Sequence, residues 1–153
     1  MINNILSICW IFFISLSGNV KEKNVSIKRN YALILNIHEE KKKNFVDADY
    51  VHYYVGDQAI KEAKKRGEAD RHIKNGKTVY SVPGDIYIVN DLQKIRTLEV
   101  SDHVKLDLVD SKESKNVKML NTFDDFKKDF KDKLFLLTLE NEKIVKIQEI
   151  FTP

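Results

Sequence analysis

From residue 25 onward, apolar residues recur at period two in short runs separated by turn signals, and helical periodicity surfaces only twice. Period two puts alternate side chains on opposite faces of a strand. Val25 to Ile37 carries Tyr31, Leu33, Leu35 and Ile37 in this register, with Ala32 and Ile34 between them, so its second half reads as buried on both faces. Phe45 to Val55 reads as a second strand, with Asp47, Asp49, Val51 and Tyr53 on one side and Val46, Ala48 and Tyr50 on the other. A short strand over Val79–Val82 is broken by Pro83-Gly84, and Asp85 to Asn90 is the next strand. Lys94–Val100, the alternating Val104, Leu106 and Leu108, and a closing hairpin of Leu134–Glu140 with Ile144–Phe151 complete the set. Residues 68–77 read as a polar stretch ending in the tight-turn pair Asn75-Gly76, and 110–116 as a charged loop.

The two helical signals are short. Asp57 is placed to cap a helix whose narrow stripe is Ala59, Ile60 and Ala63, with Lys64-Lys65-Arg66 at its negative end and Gly67 as its stop. So few apolar positions predict a helix lying on the surface of a sheet. Thr122 and Asp125 resemble a capping box, and Phe123, Phe126 and Phe130 share the face that follows. Three phenylalanines, each worth about 1.5–3 kcal/mol when fully covered, predict a plug for a sheet or barrel. About seven strands and two short helices with short connections predict an α+β class. The fold expected is a small β-rich domain, mainly antiparallel, in a partly open barrel or curved sheet. Strand–helix alternation is too sparse for a doubly wound parallel sheet.

The first seventeen residues have no charged side chain and centre on Ile5–Ile14. That core is short of the roughly 20 residues of a bilayer span. It matches a secretory h-region, with Ser15 and Ser17 where small residues precede a cleavage site. The expected organisation is a signal peptide over 1–17, a linker over 18–24 and a single domain over 25–153. The protein is accordingly expected to be secreted or at the cell surface. The alternative is an uncleaved membrane anchor over 5–17, favoured by the absence of Lys or Arg before the apolar run and by Lys21, Lys23, Lys28 and Arg29 after it. Cys9, the one cysteine, lies inside the leader, so cleavage leaves a domain without disulfides, thiolate nucleophiles or cysteine ligands.

A net charge of +3 with acids and bases interleaved gives no basic face for nucleic acid, which is not expected as a partner. Gly never falls in a phosphate-cradling pattern, and His38, His52, His72 and His103 show no metal spacing, so no cofactor or metal is expected. Asp47 and Asp49 share a strand face beside His52, the geometric minimum for paired-carboxylate chemistry. The competing reading is a solvent-facing strand. Arg96 is the last arginine, in a stretch that otherwise uses Lys. It reads first as a structural partner of Asp85, Asp91 or Glu149, and second as a bidentate fork for a carboxylate or phosphate.

Tyr54-Val55-Gly56-Asp57-Gln58-Ala59 with Ala63 and Gly67, then Asp85–Asp91 and Ile95–Val100, resemble a group of short exported proteins of Gram-positive bacteria. So do the hairpin Leu137–Asn141 with Val145–Glu149 and the ending Phe151-Thr152-Pro153. The resemblance spans residues 50–153 and implies export and a compact β-rich domain; the group has no assigned activity. The chain departs from it in the insert 68–82 and in Glu142-Lys143, where a turn Gly is usual. The function expected is a non-catalytic binding or structural module of the cell envelope. Its partner is an unidentified envelope component or protein, and its working surface comprises Asp85, Tyr87, Asn90 and Arg96. The alternatives are a small envelope hydrolase using Asp47, Asp49 and His52, and a membrane-tethered inhibitor or immunity-type protein. Any membrane contact would run through the N-terminal segment alone.

Overall fold

Three two-residue hairpins organise the chain. A computed structural model describes residues 25–109, 117–118 and 122–152; the leader and linker of 1–24, the charged loop 110–116, residues 119–121 and Pro153 lie outside them. The hairpins join β1 (Ile27–Glu40) to β2 (Lys43–Tyr50), β4 (Asp70–Lys74) to β5 (Lys77–Ser81), and β9 (Leu134–Glu140) to β10 (Lys143–Ile150). Both central residues of each turn have positive φ: Lys41 and Lys42, Asn75 and Gly76, Asn141 and Glu142. That is the condition of the type I′ turn, whose twist matches that of its strands. Only the Asn75-Gly76 turn carries the residues that make it legible. Lys41-Lys42 offers no glycine or asparagine, and the strands on either side impose the left-handed conformation on it.

The remaining strands are β3 (His52–Val55), β6 (Ile86–Val89), β7 (Ile95–Val109) and β8 (Val117–Lys118). The helices are α1 (Gly56–Arg66) and α2 (Phe123–Phe126). The main sheet runs β10-β9-β1-β2-β7-β8, and β10 also pairs with β7. The sheet therefore closes into a five-stranded barrel instead of staying partly open. Four of its contacts are antiparallel, and the closing one, β10 with β7, is parallel. β1 serves two neighbours by being long: Ile27–Leu33 pair with β9 and Ala32–Glu40 with β2, with a bulge between Ile34 and Asn36. A bulge bends its strand and adds twist, which closure of so small a barrel needs.

The barrel interior is filled as period two predicts. Ala32, Ile34, Val46, Ala48, Val100, Leu137, Leu139, Ile144 and Ile147 are buried in one cluster. The phenylalanine face completes it: Phe126 is 0% exposed and meets Phe135 edge-on at 5.4 Å, and Phe130 is buried beside it. Thr122 caps α2, accepting the Asp125 backbone N–H at 3.3 Å. The expected plug is present, though the helix stops at Phe126 and Phe130 reaches the core from the turn that follows.

Three elements differ from expectation. Lys94–Val100 and the run through Leu108 form one strand, β7, because its first half pairs with β2 and its second with β10. Phe45–Val55 is instead split at Val51, whose N–H bonds the Tyr31 carbonyl at 3.0 Å. β3 leaves the barrel there to pair with β6. The polar stretch 68–77 holds β4, every residue of which is exposed, so apolar periodicity had nothing to register.

Residues 51–94 are thus an insertion between two barrel strands. Its small core is Ala59, Ala63 and Val82, with Tyr54 and Tyr87 packed against it. α1 lies on the β3–β6 ribbon, as its narrow stripe requires. It begins one residue before Asp57: Val55 is the N-cap, without a side-chain cap, and Asp57 sits in the first turn, where its charge faces the positive helix end. Gly67 ends it in the left-handed conformation. No helix among the described residues is long and apolar enough to cross a membrane.

Candidate functional site

The point where β3 leaves the barrel creates a cleft of about 510 Å³ between the barrel rim and the insertion. That is the size range of small-molecule sites. The local sequence explains its lining. Tyr50 is the last residue of β2 on the interior side, packed on the core cluster. Across β7, Ala48 is opposite Arg96, so Arg96 also has interior parity but stands at the rim, where no core lies above it. β1 adds Arg29 and Tyr31, and β3 adds His52, Tyr53 and Tyr54. Four of the six tyrosines and two of the four arginines of the chain line this one cleft.

The rings are arranged in pairs. Tyr31 and Tyr53 lie 4.7 Å apart, tilted by 41°. His52 stacks on Tyr54 at 6.3 Å. The Arg96 guanidinium sits 4.3 Å over the Tyr50 ring and donates from Nη1 to the Lys94 carbonyl at 2.6 Å. Burial pushes the phenols of Tyr50 and Tyr53 up; Arg96 opposes the shift at Tyr50, and Tyr31 adds to it at Tyr53. Both hydroxyls therefore stay neutral donors.

One wall is the loop from Asn90 to Lys94, which contributes Asp91 and Leu92. A single carboxylate pins both its ends. Asp49 is 4% exposed and accepts from the Asn90 side chain at 2.8 Å and from the Lys94 backbone N–H at 2.9 Å. At the middle of the loop, Asp91 takes a two-pronged bond from Arg66 of α1 at 2.8 and 2.5 Å. Arg66 is the first cause of the Asp91 carboxyl lying below its usual range. Leu92, between these anchors, is 81% exposed.

The sequence-derived candidates separate. Arg96 lines the cleft, and the ion pairs foreseen for it are not formed. Asp91 is engaged by Arg66, and Glu149 by Lys133 and the Val109 N–H, while Asp85 lies in the turn before β6. Among the described residues, Arg96 and Arg29 have no carboxylate partner. Asn90 supports the cleft wall through Asp49 and does not line it. Tyr87 faces the insertion core and donates to Glu68 at 2.6 Å, and Asp85 is exposed. Neither lines the cleft that Arg96 lines.

Asp47 and Asp49 do share a face, but the solvent-facing reading fails for Asp49, which is buried beneath the returning loop. Asp47 accepts from the Thr97 hydroxyl at 2.6 Å and from Asn36 at 3.1 Å. The Thr97 bond foremost, with Asn36 and His38 adding, holds its carboxyl below the usual range against the opposing effect of burial. A general acid needs the opposite shift. His52 lies in the cleft and neither aspartate lines it. Among the described residues, no three His, Cys, Asp or Glu side chains converge as a metal site would require.

Sequence reasoning missed Tyr31, Tyr53 and Arg29 as a group because they come from strands paired only in three dimensions. The available signal was composition alone: a dense run of tyrosines at Tyr50, Tyr53 and Tyr54, and a chain that uses Lys for most of its cations but keeps four arginines. No family model, no curated protein and no solved structure matches the chain.

Proposed function

We propose that this chain is a non-catalytic binding module of the cell envelope, exported by its uncharged leader, and that the tyrosine–arginine cleft is its binding site. The observation that carries the reading is the gathering of Tyr31, Tyr50, Tyr53 and Tyr54 around Arg96 and Arg29, whose charges lack carboxylate partners among the described residues. Tyr and Arg are the residues that dominate binding hot spots. The carboxylates nearby are occupied in holding the fold, which leaves the cleft suited to recognition and not to acid–base work.

The barrel supports the same reading. In chain order its strands are β1, β2, β7, β9 and β10, arranged 1-2-3-5-4, with the third and fifth parallel and a short helix between the third and fourth. This is the strand order of OB-type barrels, which use the outer face of strands two and three for ligands. Here that face carries Asp47 bonded to Thr97, and Glu99 paired with Lys43 and Lys143. The inserted 51–94 builds the cleft at the rim instead. Topology alone does not name a ligand.

The test is an amide NMR titration of isotope-labelled protein with a solubilised envelope fraction. Shifts concentrated at His52, Tyr53, Asp91 and Arg96 support the cleft. Shifts confined to other surfaces, or binding unaltered by Tyr53→Ala and Arg96→Ala, overturn it. N-terminal sequencing of the exported protein tests the leader: a start at Gly18 supports cleavage, and an intact Met1 supports the anchor.

A further inference from the structure

Taking the cleft as the binding site, we infer that its ligand is an anionic saccharide: a hydroxyl-bearing ring carrying a carboxylate or a phosphate. The charge of the site selects the anion. Arg29 and Arg96 bring two guanidinium groups with no counter-carboxylate among the described residues, and the one acid of the lining, Asp91, is already neutralised by Arg66. Arg96 is also preorganised. The Tyr50 ring supports its plane and the Lys94 carbonyl fixes one nitrogen, so most of its donors are directed by the protein and left unused. A planar fork held in this way fits the two oxygens of a carboxylate or phosphate.

The aromatic geometry selects the rest of the ligand. A nucleobase or other flat ring needs a free aromatic face to stack on. Here Tyr31 and Tyr53 are tilted by 41° against each other, Tyr54 has His52 stacked on it and packs on the insertion core, and Tyr50 lies between the barrel core and Arg96. What the tyrosines offer is their hydroxyls. None of those on Tyr31, Tyr50, Tyr53 or Tyr54 bonds to a described residue, whereas Tyr87, outside the cleft, does. Each phenol hydroxyl both donates and accepts, as a sugar hydroxyl does. Four such groups around two guanidinium forks match a polyhydroxylated anion and leave a bare aromatic anion without partners for most of them.

The experiment is calorimetric titration of the full chain with glucuronate and with glucose phosphate, against glucose, inorganic phosphate and oligothymidylate. The expected result is that one or both charged sugars bind at least about tenfold tighter than glucose or phosphate alone, the equivalent of one charge-assisted hydrogen bond. The tighter of the two identifies the carboxylate or the phosphate as the anion. Arg96→Lys should weaken that binding about tenfold by removing the fork, and Tyr53→Phe should weaken it less, with unchanged melting in both. Glucose or phosphate binding equally well, oligothymidylate binding more tightly, or no binding by either charged sugar overturns the inference. If glucose or oligothymidylate binds and Tyr53→Ala abolishes it, the saccharide-anion class falls while the cleft stands. Binding that is indifferent to both Tyr53→Ala and Arg96→Ala removes the cleft itself.

Discussion

The buried carboxylate of Asp49 accepts the side-chain amide of Asn90 at 2.8 Å, joining residues 41 positions apart. The same group accepts the Lys94 N–H, so one side chain closes the insertion against the strand from which it departs. The cleft wall depends on this clamp, since the loop between Asn90 and Lys94 has no strand partner of its own.

Replacing Asp49 by Ala leaves two donors facing a buried gap. The expected cost is about 1–3 kcal/mol, the usual penalty for unpaired buried polar groups. Urea unfolding measures it, and hydrogen exchange at Lys94 should quicken with it. Wild-type stability together with wild-type exchange would show that the clamp is dispensable.

Phe126 is fully buried and packs edge-on against Phe135. Phe126→Ala should cost about 3–5 kcal/mol through lost transfer energy and the cavity left behind. Phe123→Ala, at a half-covered ring of the same helix, should cost clearly less. Equal costs in denaturant unfolding would contradict the plug arrangement.

The Asp47 carboxyl lies below its ordinary range chiefly because Thr97 donates to it. Its folded value is lower than its unfolded one, so its contribution to stability is complete above the ordinary carboxylate range. That contribution is lost as pH falls through the depressed folded value. Thr97→Val should move the Asp47 titration upward in carbon-detected NMR and make the acid-side loss of stability from this group smaller, because the folded value moves closer to the unfolded one. An unmoved Asp47 titration would refute the assignment.

Lys42 and Glu142 hold the second position of type I′ turns with φ of 65° and 69°. Left-handed backbone costs a side-chain-bearing residue about 1–2 kcal/mol, and glycine escapes it. Lys42→Gly and Glu142→Gly should each raise stability by up to about 1 kcal/mol, while Gly76→Ala at φ 73° should lower it by a similar amount. Thermal unfolding of the three variants tests the sign in each case.

Much of the barrel was legible in the chain because its signals are local. Period two in β1, β2 and β9, the Thr122 cap, the Phe126 face and the Gly67 stop each depend on neighbours within a few residues. The split at Val51 and the continuity of β7 were not legible. A strand's end is decided by where its partner's hydrogen bonds run out, and that partner lies far away in sequence. β4 was invisible for a related reason, since a ribbon exposed along its whole first strand has no buried face to impose a pattern.

The site shows the same division. Its residue types were present in the sequence: the densest cluster of tyrosines beside His52, and an Arg96 that stood out against lysine. By itself the sequence determined a β-rich domain, a helix-borne aromatic plug and an arginine in search of a partner. The tertiary structure decided that Arg96 rests on Tyr50 without a carboxylate, that Asp49 is buried and used as a clamp, and that Tyr31 meets Tyr53. Closing the barrel through the parallel β10–β7 pair sets which side chains reach the rim, and the 51–94 insertion folds back to make that rim a cleft. Both depend on contacts between distant strands, and no local pattern encodes them.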